Sequence, residues 1–191
     1  MSSSAGYVNK RILLTGPPGI GKTTLVQKVC KKLENCNAPL KGFYTEEVRS
    51  GGWRTGFDIV TMDGQRAPLA RKREAGPKSA VRYAVGQYTV SLKSFEDLVL
   101  PVFQTQLGEV LVLDEIGRME LCSSSFMREV SKAFDNPNIT ILATIPVPRD
   151  KPISFVEKLR HHPNSTVITV DHSNRDSLVD KIVTMLQPIP T

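Results

Sequence analysis

The chain has 191 residues, of which 40% are hydrophobic and 23% charged, and its formal net charge is +6. This length allows one sizeable core, and the composition excludes an intrinsically disordered chain. No apolar run approaches the roughly 20 residues that a membrane helix needs, so we expect no membrane association. The opening Met1–Gly6 lacks the pattern of a secretory or transit signal, which favours the cytoplasm.

The cysteines and the positive charge are the two features that could indicate a metal site or a nucleic-acid partner. Cys30, Cys36 and Cys122 form no C-x-x-C pair, so neither a disulfide framework nor a zinc site is predicted. A basic chain could bind nucleic acid. However, no basic run is interleaved with aromatic residues, as in RNA-binding sheets. We therefore expect no nucleic-acid partner and attribute part of the charge to a small polyanionic ligand.

The first predicted strand and helix flank a segment rich in glycine and proline. Lys10–Thr15 is a short apolar run typical of a buried strand. From Lys22 onward, apolar residues recur at helical spacing on one face, at Leu25, Val26, Val29, Cys30 and Leu33. Residues 35–39 break this helix, and Pro39–Tyr44 predicts a second strand.

Residues 46–90 differ in character from the rest of the chain. Ser50–Gly52 and Asp63–Gly64 are turn signals, each flanked by extended-type residues such as Trp53 and Ile59. These patterns predict antiparallel hairpins inserted into the fold. Arg71–Ser79 is polar and contains Gly-Pro, so we expect a loop there.

The second half of the chain alternates helices and strands. Ser94, with Asp97 as its capping-box partner, predicts a helix running to about residue 106. Further strands are predicted at 109–114, 138–144 and 165–170, with helices at 126–134 and 152–160. Ser173 is predicted to cap a last helix that reaches Leu186. The alternation favours an α/β fold, a parallel sheet with helices on both faces, in one domain spanning 1–191. We expect a monomer.

A phosphate-binding loop follows the first strand. Its residues match G-x-x-x-x-G-K-[ST], and the strand before it and the helix after it are the context that this motif requires. Glycines let successive backbone N–H groups point inward at phosphate oxygens, and the helix adds its positive dipole end. The predicted nucleotide-binding residues are Gly16, Pro17, Pro18, Gly19, Ile20, Gly21, Lys22, Thr23 and Thr24. We expect Lys22 to reach the β- and γ-phosphates and Thr23 to ligate Mg²⁺.

An acidic pair ends the most apolar strand. Asp114 follows Val110–Leu113, which is the Walker B arrangement of a carboxylate presented towards a metal ion. Asp114 and Thr23 are thus the predicted metal-binding residues. Glu115 follows directly and could take a proton from an attacking water, although a solvated strand-end acid is a plainer interpretation. Thr144, at the end of the next strand, could orient that water through its hydroxyl.

Three segments together resemble the THEP1 nucleoside-triphosphatase family. They are G-P-P-G-I-G-K-T-T from Gly16, G-F-Y-T-E-E-V-R-S-G-G-W-R-T-G-F at Gly42–Phe57, and D-E-I-G-R-M-E at Asp114–Glu120. The resemblance runs from about Arg11 to Leu186. It implies Mg²⁺-dependent hydrolysis of several nucleoside triphosphates to diphosphate and phosphate at low turnover, on a RecA-like P-loop core.

The RecA-like class has consequences for strand order and for roles at the site. In that class the strand after Walker B lies between it and the loop strand. The resemblance therefore implies that residues 138–144 lie beside Lys10–Thr15, with Thr144 facing the γ-phosphate. It also strengthens the interpretation of Glu115 as the general base.

An arginine near the γ-phosphate could stabilise the negative charge of the transition state. The candidates are Arg49, Arg54, Arg118 and Arg175. We favour Arg175, expected to open the last helix beside the base or the phosphates, and Arg54, on the predicted hairpin.

Two other functions are open at this stage. A nucleotide or small-molecule kinase could use the basic hairpin region to hold a phosphorylated acceptor, although Glu115 beside Asp114 suits attack by water. A nucleotide-gated adaptor could use slow hydrolysis to time the release of a partner. No N-K-x-D guanine-recognition motif follows the phosphate loop, so ATP, GTP, CTP and UTP are all expected substrates.

Overall fold

The structure, a computed structural model, describes residues 10–73, 83–148 and 150–187. The strands in this part of the chain are β1 (Arg11–Thr15), β2 (Leu40–Ser50), β3 (Trp53–Thr61), β4 (Arg66–Lys72), β5 (Ala84–Val85), β6 (Tyr88–Val90), β7 (Val110–Asp114), β8 (Thr140–Thr144) and β9 (Ser165–Thr169). The α-helices are α1 (Lys22–Asn35), α2 (Leu92–Val99), α3 (Ser124–Asp135), α4 (Ser154–Arg160) and α5 (Leu178–Leu186). None of these helices is both long and apolar enough to cross a membrane.

All nine described strands belong to one sheet, in the order β5-β6-β4-β3-β2-β7-β8-β1-β9. The five neighbouring strands β2, β7, β8, β1 and β9 are parallel to one another. On the other side of β2, the strands β3, β4, β6 and β5 pair in antiparallel fashion. Strand β8 lies between β7 and β1, with Leu14 opposite Thr144. The RecA-like strand order that the resemblance implied is confirmed.

The sheet separates two hydrophobic layers. Every residue of β1 and β7 is buried, which explains why these strands are apolar runs without alternation. Ile12 and Leu14 pack on one face with α1 and α5, while Leu13 packs on the other with α2, α3 and α4. Helices therefore cover both faces of the parallel part, as the sequence predicted.

The predicted hairpins form, and they extend the core sheet. Strand β2 pairs with β7 only as far as Tyr44, opposite Asp114, and then continues to Ser50 alongside β3. The antiparallel strands consequently project past the carboxyl edge of the parallel strands. The loop predicted at 71–79 is wrong at its start, because β4 includes Arg71 and Lys72, and residues 74–82 lie outside the described part.

The start and end of α2 differ from the sequence prediction. The helix begins at Leu92, with no side-chain cap, and ends at Val99. Because the helix begins two residues before Ser94, Ser94 is not its N-cap and Asp97 is not a capping-box partner. Asp97 instead forms an ion pair with Lys93 at 2.7 Å. A short 3₁₀ helix at Leu100–Phe103 with proline in its first turn ends the α-helical region well before residue 106.

The start of α5 was also placed too early. Ser173 donates its hydroxyl to Asp171 Oδ1 at 2.6 Å, inside a turn that precedes the helix. The helix itself begins at Leu178, whose N–H donates to the carbonyl of Asn174. Serine bonded to a neighbouring carboxylate stabilises a turn in place of a helix start.

A buried arginine joins β1 to the end of α3. Arg11 is 1% exposed, and its guanidinium donates to the carbonyls of Phe134 at 2.8 Å and Asn136 at 2.6 Å. A helix leaves its last carbonyls without partners, and Arg11 supplies two of the missing donors. Burial lowers the pKa of Arg11.

Candidate functional site

The segment between β1 and α1 has the geometry of an anion-binding loop. Gly21 precedes the helix with φ of 102°, a left-handed conformation that a side chain would disfavour. Gly16 approaches the chain just after β9, since a Cβ there would lie 2.6 Å from the carbonyl oxygen of Val170. The helix begins at Lys22, so its unpaired N–H groups and positive dipole end face the loop.

The Lys22 side chain is folded back over this loop. Its Nζ donates to the carbonyl of Gly16 at 2.9 Å and lies 3.5 Å from that of Pro17. A lysine has a flexible stem with three donors on its ammonium group. The Lys22 ammonium can therefore exchange these carbonyls for phosphate oxygens that enter the loop.

Asp114 ends β7 below the loop and is 1% exposed. Its Oδ1 accepts the Thr144 hydroxyl at 2.5 Å, and its Oδ2 is buried with no hydrogen-bond partner among the described residues. Burial raises the pKa of Asp114, while the Thr144 and Thr23 hydroxyls and the Lys22 ammonium act against that rise. A buried carboxylate oxygen of this kind needs a cation or a proton.

These donors fit a magnesium ion. Mg²⁺ prefers oxygen ligands and, with phosphate substrates, takes one or two protein carboxylates and keeps several waters. Asp114 Oδ2 and the hydroxyl of Thr23 are oxygens of the right type, and the Thr23 hydroxyl lies close enough to Asp114 to act on its carboxyl group. No cluster of three histidine, cysteine or acidic residues occurs within 10–73, 83–148 and 150–187, so a metal held by protein alone is not indicated there.

Glu115 and Glu120 lie around a single glycine. A Cβ on Gly117 would be 2.7 Å from Glu115 Oε1 and 3.1 Å from Glu120 Oε2. Glu120 is buried, and its Oε2 accepts the Gly117 N–H at 3.1 Å. Burial, followed by the charge of Glu115, raises the pKa of Glu120 to about 8. Gly117, which has no side chain, leaves room for both carboxyl groups.

Thr144 ends β8 as predicted, whereas Arg175 lies elsewhere than the sequence suggested. Thr144 is fully buried, and its hydroxyl donates to Asp114, so it holds that carboxylate in position. Arg175 lies in the turn before α5 and does not open the helix. Its Nη1 is 3.4 Å from the carbonyl of Ile20, and a Cβ on Gly21 would be 4.0 Å away.

Two of the candidate arginines share one carboxylate. Arg54 donates to Glu47 at 2.7 Å and to the Tyr88 hydroxyl at 3.1 Å, and its guanidinium lies 5.2 Å from the Phe57 ring centroid. Arg49 donates to the same Glu47 at 2.5 Å. These contacts raise the pKa of Arg54 and lower that of Glu47.

A cleft of about 700 Å³ joins these groups. One side, the loop wall, is formed by residues of the segment 16–24, including Lys22, Thr23 and Thr24. The other side, the hairpin wall, is formed by residues on β2 to β5, namely Thr45, Glu46, Glu47, Arg54, Phe57, Leu69 and Val85. Glu115, Arg118 and Glu120 lie between the walls, and residues of 146–148 and 151–157 complete the lining. Arg49 and Arg175 do not line the cleft.

Sequence reasoning missed several residues that the structure brings to this cleft. In the sequence, Glu120 is only the last residue of D-E-I-G-R-M-E, and Glu47 is one residue of the longer segment Gly42–Phe57. No sequence pattern singles out Met119, Ile153 or Val156, although they line the cleft. The available signals were these two segments, each of which contains two adjacent acidic residues.

The strand order and the loop define the class: this is a P-loop NTPase fold. A family model described as NTPase matches residues 11–183. The human cancer-related nucleoside-triphosphatase is 46% identical over 184 residues, which cover 93% of this chain and 97% of that protein.

Solved structures agree with this assignment. The solution structure of a human cancer-related nucleoside triphosphatase has a TM-score of 0.83 at 45% identity and covers 95% of this chain and 100% of that chain. The crystal structure of THEP1 from the hyperthermophile Aquifex aeolicus has a TM-score of 0.78 at 34% identity, covering 93% and 99%. The chain belongs to the NTPase family, so the resemblance found from sequence is confirmed.

Proposed function

We propose that this protein hydrolyses nucleoside triphosphates to diphosphate and phosphate with Mg²⁺, slowly and with little preference for the base. The observation that carries the proposal is the placement of Glu115 in the same cleft as Lys22 and Thr23. The names of the relatives, which are nucleoside-triphosphatases, support the same reaction.

Binding of the triphosphate is assigned to the loop wall. Backbone N–H groups of 16–23 and the start of α1 would hold the phosphate oxygens. Lys22 would leave the carbonyls of Gly16 and Pro17 and contact the β- and γ-phosphates. Thr23, through its hydroxyl, and Asp114, through a water, would hold Mg²⁺, which would supply positive charge next to the phosphates. Thr144 would keep Asp114 in place through its 2.5 Å hydrogen bond.

The hydrolytic step is assigned to Glu115. A water in the cleft would attack the γ-phosphorus, and its proton would pass to the Glu115 carboxylate. The bond from the γ-phosphorus to the bridging oxygen would break, which leaves the diphosphate and inorganic phosphate. The Gly117 N–H bond to Glu120 would hold the turn that carries Glu115.

Slow turnover follows from the positions of the arginines. An arginine on the γ-oxygens can raise the rate by roughly 10³ or more. Arg54 lines the cleft but is already paired with Glu47, and Arg175 contacts the outside of the loop at Ile20. Without an arginine committed to the γ-phosphate, Lys22 and the metal would supply most of the charge stabilisation.

Broad base use is proposed because most of the binding energy would come from groups that all nucleotides share. Arg175 beside Gly21 could stack on any base, since its guanidinium is planar and does not distinguish purines from pyrimidines. We expect kcat/KM for ATP, GTP, CTP and UTP to agree within about tenfold, or ~1.4 kcal/mol.

Phosphate release from each of these nucleotides tests the proposal. Release should require Mg²⁺, and Asp114→Asn should raise the Mg²⁺ concentration needed for half-maximal rate. A preference of a hundredfold for one base would reveal a base-reading pocket and contradict the broad specificity. Failure to release phosphate from any nucleotide would contradict hydrolysis itself.

A further inference from the structure

The cleft continues well beyond the phosphate loop as an apolar half. Its apolar side chains come from the hairpin wall and from the segments that face it: Phe57, Leu69, Val85, Met119, Ile153 and Val156. Leu69 and Val156 are each 1% exposed, so these walls are continuous with the protein core. The whole cleft has the size of a small-molecule site, for which about 300–1,000 Å³ is typical.

This apolar surface does not match the chemistry of a triphosphate. Phosphates need N–H donors, cations and water, and burying a charged group against hydrocarbon is costly. The loop wall already supplies what the phosphates need. The apolar half instead suits a ligand that gains free energy by removing hydrocarbon or aromatic surface from water.

The proposed position of the nucleoside is also outside this half. Arg175 contacts the carbonyl of Ile20 in the loop and does not line the cleft. A base stacked on Arg175 would therefore lie outside the cleft, with the γ-phosphate directed into it. This step rests on the proposed placement of the triphosphate, and it leaves the apolar half unfilled when a nucleotide is bound.

Positively charged side chains are available at the cleft to hold an anion. Three of the carboxylates in its lining are paired with arginines: Glu46 with Arg66, Glu47 with Arg54, and Glu157 with Arg160. Lys151 and Arg118 lie exposed in the lining, and Lys151 pairs with no carboxylate of the described residues. Positive charge is thus available at the rim of an apolar pocket.

We propose that the apolar half of the cleft binds a second small molecule, an organic anion with an apolar body, at the same time as the nucleotide. The ligand's apolar body would lie between Val85 and Phe57 on one side and Ile153 and Val156 on the other. Its anionic group would face Lys151. The site would place this second molecule next to the γ-phosphate end of the triphosphate.

Anilinonaphthalene sulfonate is a suitable probe, because it combines an aromatic body with one anionic group and fluoresces when its surroundings become apolar. The probe is titrated into the full chain alone and with saturating Mg²⁺ and a non-hydrolysable ATP analogue. Nucleotide binding is measured separately by calorimetry. We expect both to bind together, with the probe affinity changed by no more than about threefold.

Paired variants locate the probe. Ile153→Glu and Val85→Glu add a carboxylate at partly exposed positions on the two opposite sides of the apolar half. Each variant should lower the affinity for the probe by about tenfold or more, because the added charge repels the sulfonate and its desolvation is costly. The affinity for the nucleotide should stay unchanged. Leu107→Glu is the matched control, since Leu107 is 67% exposed and outside the cleft. Thermal unfolding checks that each variant is folded.

The charge of the ligand is tested with N-phenylnaphthylamine, the uncharged counterpart of the probe. Lys151→Ala should lower the affinity for the sulfonate probe by about threefold, which is the effect of an exposed ion pair. The affinity for the uncharged probe should stay unchanged. Equal loss for both probes would overturn the assignment of an anion.

Two further outcomes would overturn the second site. Displacement of the probe by the nucleotide would mean that the base occupies the cleft. Equal binding of the probe by wild type and both glutamate variants would mean that it binds elsewhere. Absence of nucleotide binding in the calorimetric arm would instead contradict the proposed hydrolase and not the probe site.

Discussion

The loop wall and the hairpin wall of the cleft are built in different ways. The loop wall is defined by backbone: Gly16 and Gly21 have conformations or contacts that a side chain would not allow, and Asp114 behind it is fully buried. The hairpin wall is defined by side chains, with exposed ion pairs such as Arg54–Glu47 above apolar residues such as Leu69. Backbone geometry suits a ligand group that is common to all nucleotides, whereas the side chains of the hairpin wall suit a ligand with an apolar body.

The largest expected effect lies on the loop wall. Lys22→Ala should lower turnover by about 10³-fold, because removal of one preorganised donor to a developing charge has an effect of this size. Steady-state phosphate release measures it. Lys28→Ala on the same helix is the matched control, since Lys28 is paired with Asp176 on the surface. Equal turnover of Lys22→Ala and the control would remove Lys22 from the site.

A smaller effect is expected between the walls. Gly117→Ala would place a Cβ 2.7 Å from Glu115 Oε1, so that carboxylate must move. We expect turnover to fall about tenfold, since small displacements of a catalytic group are costly. The test is a double-variant cycle with Glu115→Gln. If Gly117→Ala lowers the residual turnover of Glu115→Gln by the same factor, the effect does not pass through Glu115.

The hairpin wall should matter less to hydrolysis. Arg54→Ala should lower turnover by less than about tenfold, because the Arg54 guanidinium is engaged by Glu47 and Tyr88. Arg49→Ala is the matched control, since Arg49 binds the same Glu47 but does not line the cleft. A loss near 10³-fold in Arg54→Ala alone would make Arg54 the residue that stabilises the transition state.

The smallest expected effect concerns stability and pH. The pKa of Glu120 is raised to about 8, above its usual 4.5, so the folded state holds a proton that the unfolded state has lost. This stabilisation is complete below the unfolded pKa and disappears as pH rises to about 8. Glu120→Gln mimics the protonated form. The free energy of unfolding of Glu120→Gln minus that of wild type should therefore increase by at least about 1 kcal/mol from pH 5 to pH 8.

Urea unfolding of the nucleotide-free protein at both pH values measures this gain. Glu34→Gln is the control, because Glu34 is exposed on α1, and its difference from wild type should stay constant. A constant difference for Glu120→Gln as well would show that Glu120 is not protonated in the folded protein at neutral pH.

The loop wall could be predicted from the sequence, whereas the hairpin wall could be predicted only in part. Gly16–Thr23 and Asp114 depend on local backbone and on an apolar strand, and both leave short patterns in the sequence. The place of β8 beside β1 came from the family resemblance and is confirmed. The helix starts predicted at Ser94 and Ser173 were wrong. Helix α2 begins two residues before Ser94. Ser173 binds the Asp171 carboxylate in a turn instead of capping a helix.

The remaining features depend on tertiary contacts. Arg11 and Glu120 belong to residue types that are rarely buried, yet both are buried in the structure. The contact of Arg11 with Phe134 joins residues that are 123 positions apart. The sequence favoured Arg54 over Arg49 but gave no contact for either of them. The structure places the two opposite each other on β2 and β3, and of the two only Arg54 lines the cleft. Burial of charge and the lining of a cleft are not local properties.

The central claim is that Glu115 activates water for attack on a triphosphate held by the loop wall. The direct measurement is single-turnover hydrolysis of bound ATP by Glu115→Gln, with nucleotide affinity measured on the same sample. We expect affinity within about threefold of wild type and hydrolysis slower by about 10²-fold or more, the usual contribution of a positioned base. Glu129→Gln, at a partly buried glutamate on α3, should hydrolyse at the wild-type rate. Normal single-turnover hydrolysis by Glu115→Gln would contradict the claim.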